Sequence, residues 1–265
     1  MVVYAGQGDA RRSMALLWRA ERPPERRPGP GPRPGLSVDA IVAAAIALAD
    51  AEGMAALSMR KVGERLGRSG MALYTYVPSK GELVDLMYDT ALAELPSAYD
   101  LAGGWRAAVT AWAERTRDFY LRHPWVLRVS QARPVLGPNE FAMIESLIRI
   151  LRETGLDAGT LRGVVSLLVD FVRGAAKTVT ETRQAPAETG VSDEDWWRSR
   201  ACLLNDLAPG FADRFPMVTW LESEASAPAR EEDVPYLEGK ARQAFATGLT
   251  VLLDGIEATQ AARHR

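Results

Sequence analysis

At 265 residues, 47 % hydrophobic and 25 % charged, the chain is long for a single small domain and apolar enough to bury a sizeable core. It has no apolar run near the ~18 residues that span a bilayer, no basic-then-apolar leader and no second cysteine beside Cys202, so a cytoplasmic protein with no membrane partner and no internal disulfide is expected. A net charge of −2 would argue against a DNA binder, but it hides a segregation: residues 1–36 hold seven Arg against Asp9, Glu21 and Glu25 (7 − 3 = +4), and residues 60–80 hold five bases against Glu64 (5 − 1 = +4).

In chain order, Ser13 to Ala20 allow a short helix with no evident role. From Pro23 to Pro34 half the residues are proline, which removes backbone donors and disfavours helix in the preceding residue. Residues 1–35 are therefore expected to form a disordered, basic, Pro-rich arm. Ser37 then caps a helix with Ile41, Ala44, Ala45 and Leu48 on one face, stopped at Gly53. Ser58 caps a second helix with Val62 and Leu66 inward, closed by Gly67. A very short third follows Ser69 and buries Leu73 and Val77. Ser79 and Glu82 have the spacing of a reciprocal capping box, launching a helix to about Leu95.

Beyond Pro96 a larger helical domain is expected over 96–265. Gly104–Arg122 reads as one helix, broken at His123-Pro124, and Glu140–Glu153 as another. Long apolar stripes run from Leu161 to Val179 and from Ala241 to Ile256, wide and rich in small residues, suited to an internal bundle or to a dimer interface. Residues 185–236 read as irregular, with one helix from Asp193 to about Leu207.

Residues 56–80 are thus a helix, a tight glycine-containing turn and a short helix, the geometry whose second helix is sized for a major groove. Gly63 is small where the two helices must cross. Leu66, Leu73 and Val77 anchor the short helix and free its other face, with Arg60 and Lys80 at the flanks.

The landmarks Leu36-Ser37, Ala45-Ile46 with Leu48-Ala49-Asp50 and Glu52-Gly53, Leu57-Ser58-Met59-Arg60, Leu66-Gly67, Leu73-Tyr74 with Tyr76-Val77, and Lys80 with Leu83 stand at mutually consistent spacings. Residues 36–95 on this pattern resemble the helix-turn-helix DNA-binding domain of the tetracycline-repressor (TetR) family. The remainder resembles that family's effector-binding and dimerisation domain more loosely, through His123-Pro124-Trp125 and the closing stretch from Gly248 to Glu257. The resemblance implies an all-α fold, a three-helix N-terminal head on a larger helical body, and a homodimer. It also implies a repressor released from a palindromic double-stranded DNA operator by a small-molecule effector of unknown identity.

Carried over by position, Arg60, Tyr74 and Lys80 resemble the family's backbone contacts, while Gly70, Met71, Ala72, Thr75 and Tyr76 resemble its base-reading surface. The cap residues Ser58 and Ser69 complete the DNA-binding set. Because phosphate contacts position and base contacts specify, the absence of Arg, Asn and Gln from this surface points toward thymine methyls and DNA shape. Arg33, just ahead of the first helix, is placed to enter a minor groove or to remain in a solvated tail. Trp112, Trp125, Phe141, Phe171 and Trp197 could line an effector pocket or be plain core. No His/Cys cluster has metal spacing and no phosphate loop appears, so neither metal nor cofactor is expected. A helical enzyme using a pocket of the large domain is the alternative.

Overall fold

The computed structural model describes residues 3–20, 36–224 and 235–263. Its helices are α1 (Ala10–Leu17), α2 (Val38–Glu52), α3 (Met59–Arg65), α4 (Gly70–Leu73), α5 (Lys80–Leu92), α6 (Gly104–Arg122) and α7 (Pro138–Arg152). They continue as α8 (Ala158–Thr189), α9 (Asp193–Leu207), α10 (Phe211–Arg214), α11 (Pro216–Glu224) and α12 (Tyr236–Arg263), with a short 3₁₀ turn at Pro124–Arg128. Among the described residues none is long and apolar enough to cross a membrane. The chain divides into two compact units, residues 1–173 with 259–265, and residues 174–258.

In the first unit, local chemistry sets the helix starts. Ser37, Ser58, Ser69 and Ser79 sit in extended backbone ahead of α2, α3, α4 and α5. Each hydroxyl accepts the backbone N–H three residues on, at 3.1, 3.2, 3.3 and 3.2 Å, satisfying an orphan donor of the first turn. The capping box at Ser79 is only half formed. Glu82 turns away from Ser79, accepts the Ser13 hydroxyl at 3.3 Å and lies against Gly8.

That contact belongs to a larger correction. Of the arm expected over 1–35, residues 21–35 lie outside the described residues, but residues 3–20 are docked: Asp9 caps α1, α1 packs on α5, and Ala5, Ser13 and Leu17 are buried. Helix α5, the last of the expected 36–95 domain, packs on both α2 and α7.

Helix α5 carries three buried carboxylates, Glu82, Asp85 and Asp89. Asp89 accepts the backbone N–H groups of Asn139 and Glu140 at 2.9 and 3.0 Å, and the Asn139 amide at 3.0 Å. It therefore caps α7 from another helix, where the helix dipole favours an anion. Burial, and then the neighbouring Glu82 and Glu140, push the Asp85 carboxyl up to about 6, against a lowering hydrogen bond from Gly6.

The second unit departs from the expected irregular stretch at 185–236. Helix α8 runs through Pro186 to Thr189, since one internal proline removes one helical bond and kinks a helix without having to end it. Helices α9, α10 and α11 then occupy most of residues 193–224, with the Phe211 and Phe215 rings 5.0 Å apart.

Glu238 of α12, its carboxylate almost fully enclosed, accepts from Arg183 of α8 at 2.9 and 2.6 Å and from Arg242 at 3.1 and 2.6 Å. Arg183 first, then Arg242, holds its carboxyl down at about 2 against an ordinary 4.5. A depressed carboxylate contributes stability that is fully present above its unfolded value and is lost as pH falls through its folded value. Allowing for the half-exposed arginines, Glu238→Gln should cost about 2 kcal/mol at pH 7. The gap between variant and parent should close between pH 4.5 and 2, read as denaturant midpoints at pH 7 and pH 3.

Candidate nucleic-acid interface

The crossing of α3 and α4 depends on two glycines. A Cβ on Gly63 would stand 2.7 Å from the Arg68 carbonyl oxygen and 3.0 Å from the Gly70 nitrogen. A Cβ on Gly70 would stand 3.1 Å from the Arg60 Cα. Neither position accepts a side chain without moving backbone, so the two helices meet more closely than any larger pair allows. Val62, Leu73 and Val77 are fully buried beneath the crossing, and Leu66 is half-buried.

That anchorage leaves the other face of the short helix free. Met71 is 76 % exposed, and Tyr74, Thr75, Tyr76 and Lys80 are exposed with it. Ala72 is half-buried at the margin. Gly70 differs from its expected place on the reading surface: its side-chain position faces the backbone of Met59 and Arg60. Ser58 and Ser69 hold helix starts. Arg33 lies outside the described residues.

Charge is divided by role. Lys61 and Arg65 reach the Glu52 carboxylate of α2 at 2.8 and 2.9 Å, which holds that carboxyl below its usual range, through Lys61 first and Arg65 second. These two bases brace the head. Arg60 lies one turn from Glu64 and pairs with it on an exposed face, an interaction that water and salt weaken. Lys80 stands at the start of α5. Arg68 is exposed in the turn just before α4 and joins the basic rim. Its signal in the sequence was a bare positive charge between Gly67 and Ser69.

The head is bolted to the body by the His123-Pro124-Trp125 segment. His123, buried, lies with Nδ1 2.8 Å from Asp50 Oδ1 and Nε2 3.2 Å from Glu94 Oε1. Trp125 Nε1 donates to the same Asp50 oxygen at 2.7 Å. Asp50 is in the last turns of α2, so one carboxylate joins the head to the loop after α6. No local pattern in the sequence signals this joint.

Each of the five aromatic pocket candidates has its own surroundings. Trp112 is buried on α6, and Trp125 is committed to Asp50. Phe141 is half-exposed on α7, its ring 6.2 Å from Trp18. Phe171 is half-buried on α8. Trp197, in the second unit, is half-exposed against Trp196 and Tyr236.

A short helix with a free face and a basic rim, its neighbour α2 tied through Asp50 to the segment after α6, is the arrangement of a helix-turn-helix DNA-binding protein. Comparison with known proteins places it further. Residues 41–87 match the family described as bacterial regulatory proteins, tetR family, and residues 98–260 match the tetracyclin repressor-like C-terminal domain. The HTH-type transcriptional repressor DrrR1 of Streptomyces coeruleorubidus is 38 % identical over 262 residues, 98 % of this chain and 90 % of that protein. The fold is similar to the TetR family protein ActR of Streptomyces coelicolor in complex with actinorhodin. There the TM-score is 0.65 at 26 % identity, covering 86 % of this chain and 98 % of that one. It is also similar to BioQ with its double-stranded DNA operator, at TM-score 0.50 and 27 % identity, over 57 % of this chain and 91 % of that one. The chain belongs to the tetR family of transcriptional regulators.

Proposed function

We propose that the chain is a homodimeric repressor that places α4 of each protomer in the major groove of a near-palindromic operator and leaves when a small molecule enters the body. The observation that carries this is the exposed Met71, Tyr74, Thr75 and Tyr76 face beside Lys80, on helices locked by Gly63 and Gly70. In this reading Arg60, Arg68 and Lys80 take phosphates, while Met71, Ala72, Thr75 and Tyr76 read base edges, chiefly thymine methyls. The BioQ operator complex and the ActR–actinorhodin complex among similar structures support the two halves of the proposal.

The effector reading draws on one face of α6. Trp112 Nε1 and Thr116 Oγ1, one turn apart, are buried without a hydrogen-bond partner. Tyr120, a further turn on, lies beneath the Arg173 guanidinium at 5.7 Å. Leaving a buried donor unmet costs about 1–3 kcal/mol, so an effector bringing carbonyl or hydroxyl oxygens would gain there. This makes Trp112 the best supported of the five aromatics.

The dimer reading shifts from the stripes to their backs. Leu168, Val172, Ala176 and Val179 on α8, and Phe245, Leu249, Leu253 and Ile256 on α12, are already buried within one protomer. Leu167 and Val251 are exposed on the same helices, and Gly163 and Gly174 of α8 have open space beside them. Val251→Glu should therefore yield a folded monomer by sedimentation, whereas Leu249→Glu should unfold the protein by burying an unpaired carboxylate.

The decisive experiment is a titration of variants against an operator selected from random-sequence DNA by the parent protein. Lys80→Ala should weaken specific and random DNA alike and reduce the salt slope by about one unit. Thr75→Ala should alter the preferred sequence with the slope unchanged. Equal losses on both DNAs for both variants would overturn this division of roles.

A further inference from the structure

Residues 3–19 touch three parts of the fold that a repressor must keep in register. They lie ahead of the matched DNA-binding family segment, which begins at residue 41. On the body, the Val3 N–H donates to the Arg128 carbonyl at 2.9 Å, and the Ser130 N–H donates to the Val3 carbonyl at 2.7 Å. Trp18 Nε1 donates to the Leu136 carbonyl at 3.0 Å, and its ring meets Phe141 of α7. On α5, the Gly6 N–H donates to Asp85 Oδ2 at 3.0 Å and the Ser13 hydroxyl to Glu82 at 3.3 Å. On the head, Arg19 pairs with Asp39 in the first turn of α2.

A plain solvated tail would do none of this. Ala5 is fully buried, Ser13 and Leu17 nearly so, and the Gly6 N–H partners a carboxylate whose other oxygen is buried without a partner. The contacts divide between α5 and the 128–141 segment of the body. Movement of α5 against that segment would therefore break several of them at once, including a buried hydrogen bond that has no replacement from water.

We infer that residues 3–19 are a positioning strap, which clamps α5 to the 128–141 segment and thereby sets the angle at which each α4 is offered to DNA. The inference rests on the DNA-binding function proposed for α4. In a symmetric dimer the distance between two reading helices must match the half-site spacing. Slack in α5 widens the range of spacings accepted and adds an ordering cost to binding at the correct one. The strap acts through α5 and needs no contact with DNA itself.

The test uses the full chain with Trp18→Ala, which removes the ring and the Leu136 bond but keeps every arginine. Val3→Pro, which removes the donor to Arg128 and replaces the valine side chain, serves as the second variant should Trp18→Ala fail to fold. The probes are the selected operator and versions with one base pair added or removed between half-sites, each titrated at several salt concentrations. Amide exchange along residues 80–92 is followed in parallel. The strap predicts faster exchange in α5, about tenfold weaker binding at the native spacing, a smaller penalty for altered spacing, and an unchanged salt slope. Trp18→Phe, which keeps an aromatic ring against Phe141 but not the bond to Leu136, should recover part of the loss.

Faster exchange with unchanged affinity and spacing penalty would reduce the segment to a stabilising contact and overturn the inference. A shallower salt slope in Trp18→Ala would mean that the segment delivers cations to phosphate, and would overturn it equally. A parent protein that selects no operator would remove the DNA reading and the strap's role with it. That result is distinct from normal binding by parent and variant together, which sinks the strap alone.

Discussion

Gly63→Val should abolish operator binding while leaving the body folded. The first added carbon would already stand 2.7 Å from the Arg68 carbonyl oxygen and 3.0 Å from the Gly70 nitrogen, and both are backbone atoms that no rotamer change can remove. Relief requires α4 to lift from α3, which pulls Leu73 and Val77 out of the sites where they are fully buried. Overpacking of this kind costs about 1–3 kcal/mol. The loss in affinity should be larger than that cost suggests, at least a hundredfold, because the reading face must meet base edges to within a fraction of an ångström. Gly63→Ala should lose less, since the Arg68 turn is exposed and has room to withdraw. Titration against the selected operator, with circular dichroism as the control for the body, reads both. Near-parental binding by Gly63→Val would show that the close crossing is dispensable.

Asp50→Ala should be the most damaging change at the joint between head and body. One carboxylate oxygen serves both His123 Nδ1 and Trp125 Nε1, at 2.8 and 2.7 Å, and both rings are buried. Truncation strands an indole N–H and an imidazole nitrogen together, for a cost of about 2–4 kcal/mol. Asp50→Asn retains an oxygen in the same place and should lose roughly half as much. Denaturant midpoints with an unchanged slope measure the difference. If the two variants were equally stable, the shared oxygen would not be the source of the joint's strength.

The two predictions draw on different levels of the molecule. The four serine caps, the short fourth helix, the buried Leu73 and Val77 and the need for a small residue at 63 were all legible in the sequence. Each depends on atoms within a few residues of one another or on a 3.6-residue repeat, and local backbone chemistry acts the same way wherever the segment sits. The exposed reading face came directly from these, as the side of α4 that the anchors do not use.

Other features had no such local signature. The prolines at 23–34 suggested a loose N-terminus, yet residues 3–20, which hold none of them, dock where α5 offers a buried Asp85 carboxylate, a partnership spanning 79 positions of the chain. Glu82 had the spacing of a capping box, but a hydroxyl 69 positions away took its carboxylate. The stripes on α8 and α12 read equally well as dimer contact or internal core, because an apolar periodicity records that a face is covered and not by what. Sequence by itself determined the serine-capped starts of α2 to α5 and the face of α4 left free of the core, since those rest on neighbouring residues. Tertiary structure alone decided which polar groups meet across α5 and the His123 joint, because a buried carboxylate takes whichever donor the folded chain brings within about 3 Å, however distant that donor is along the sequence.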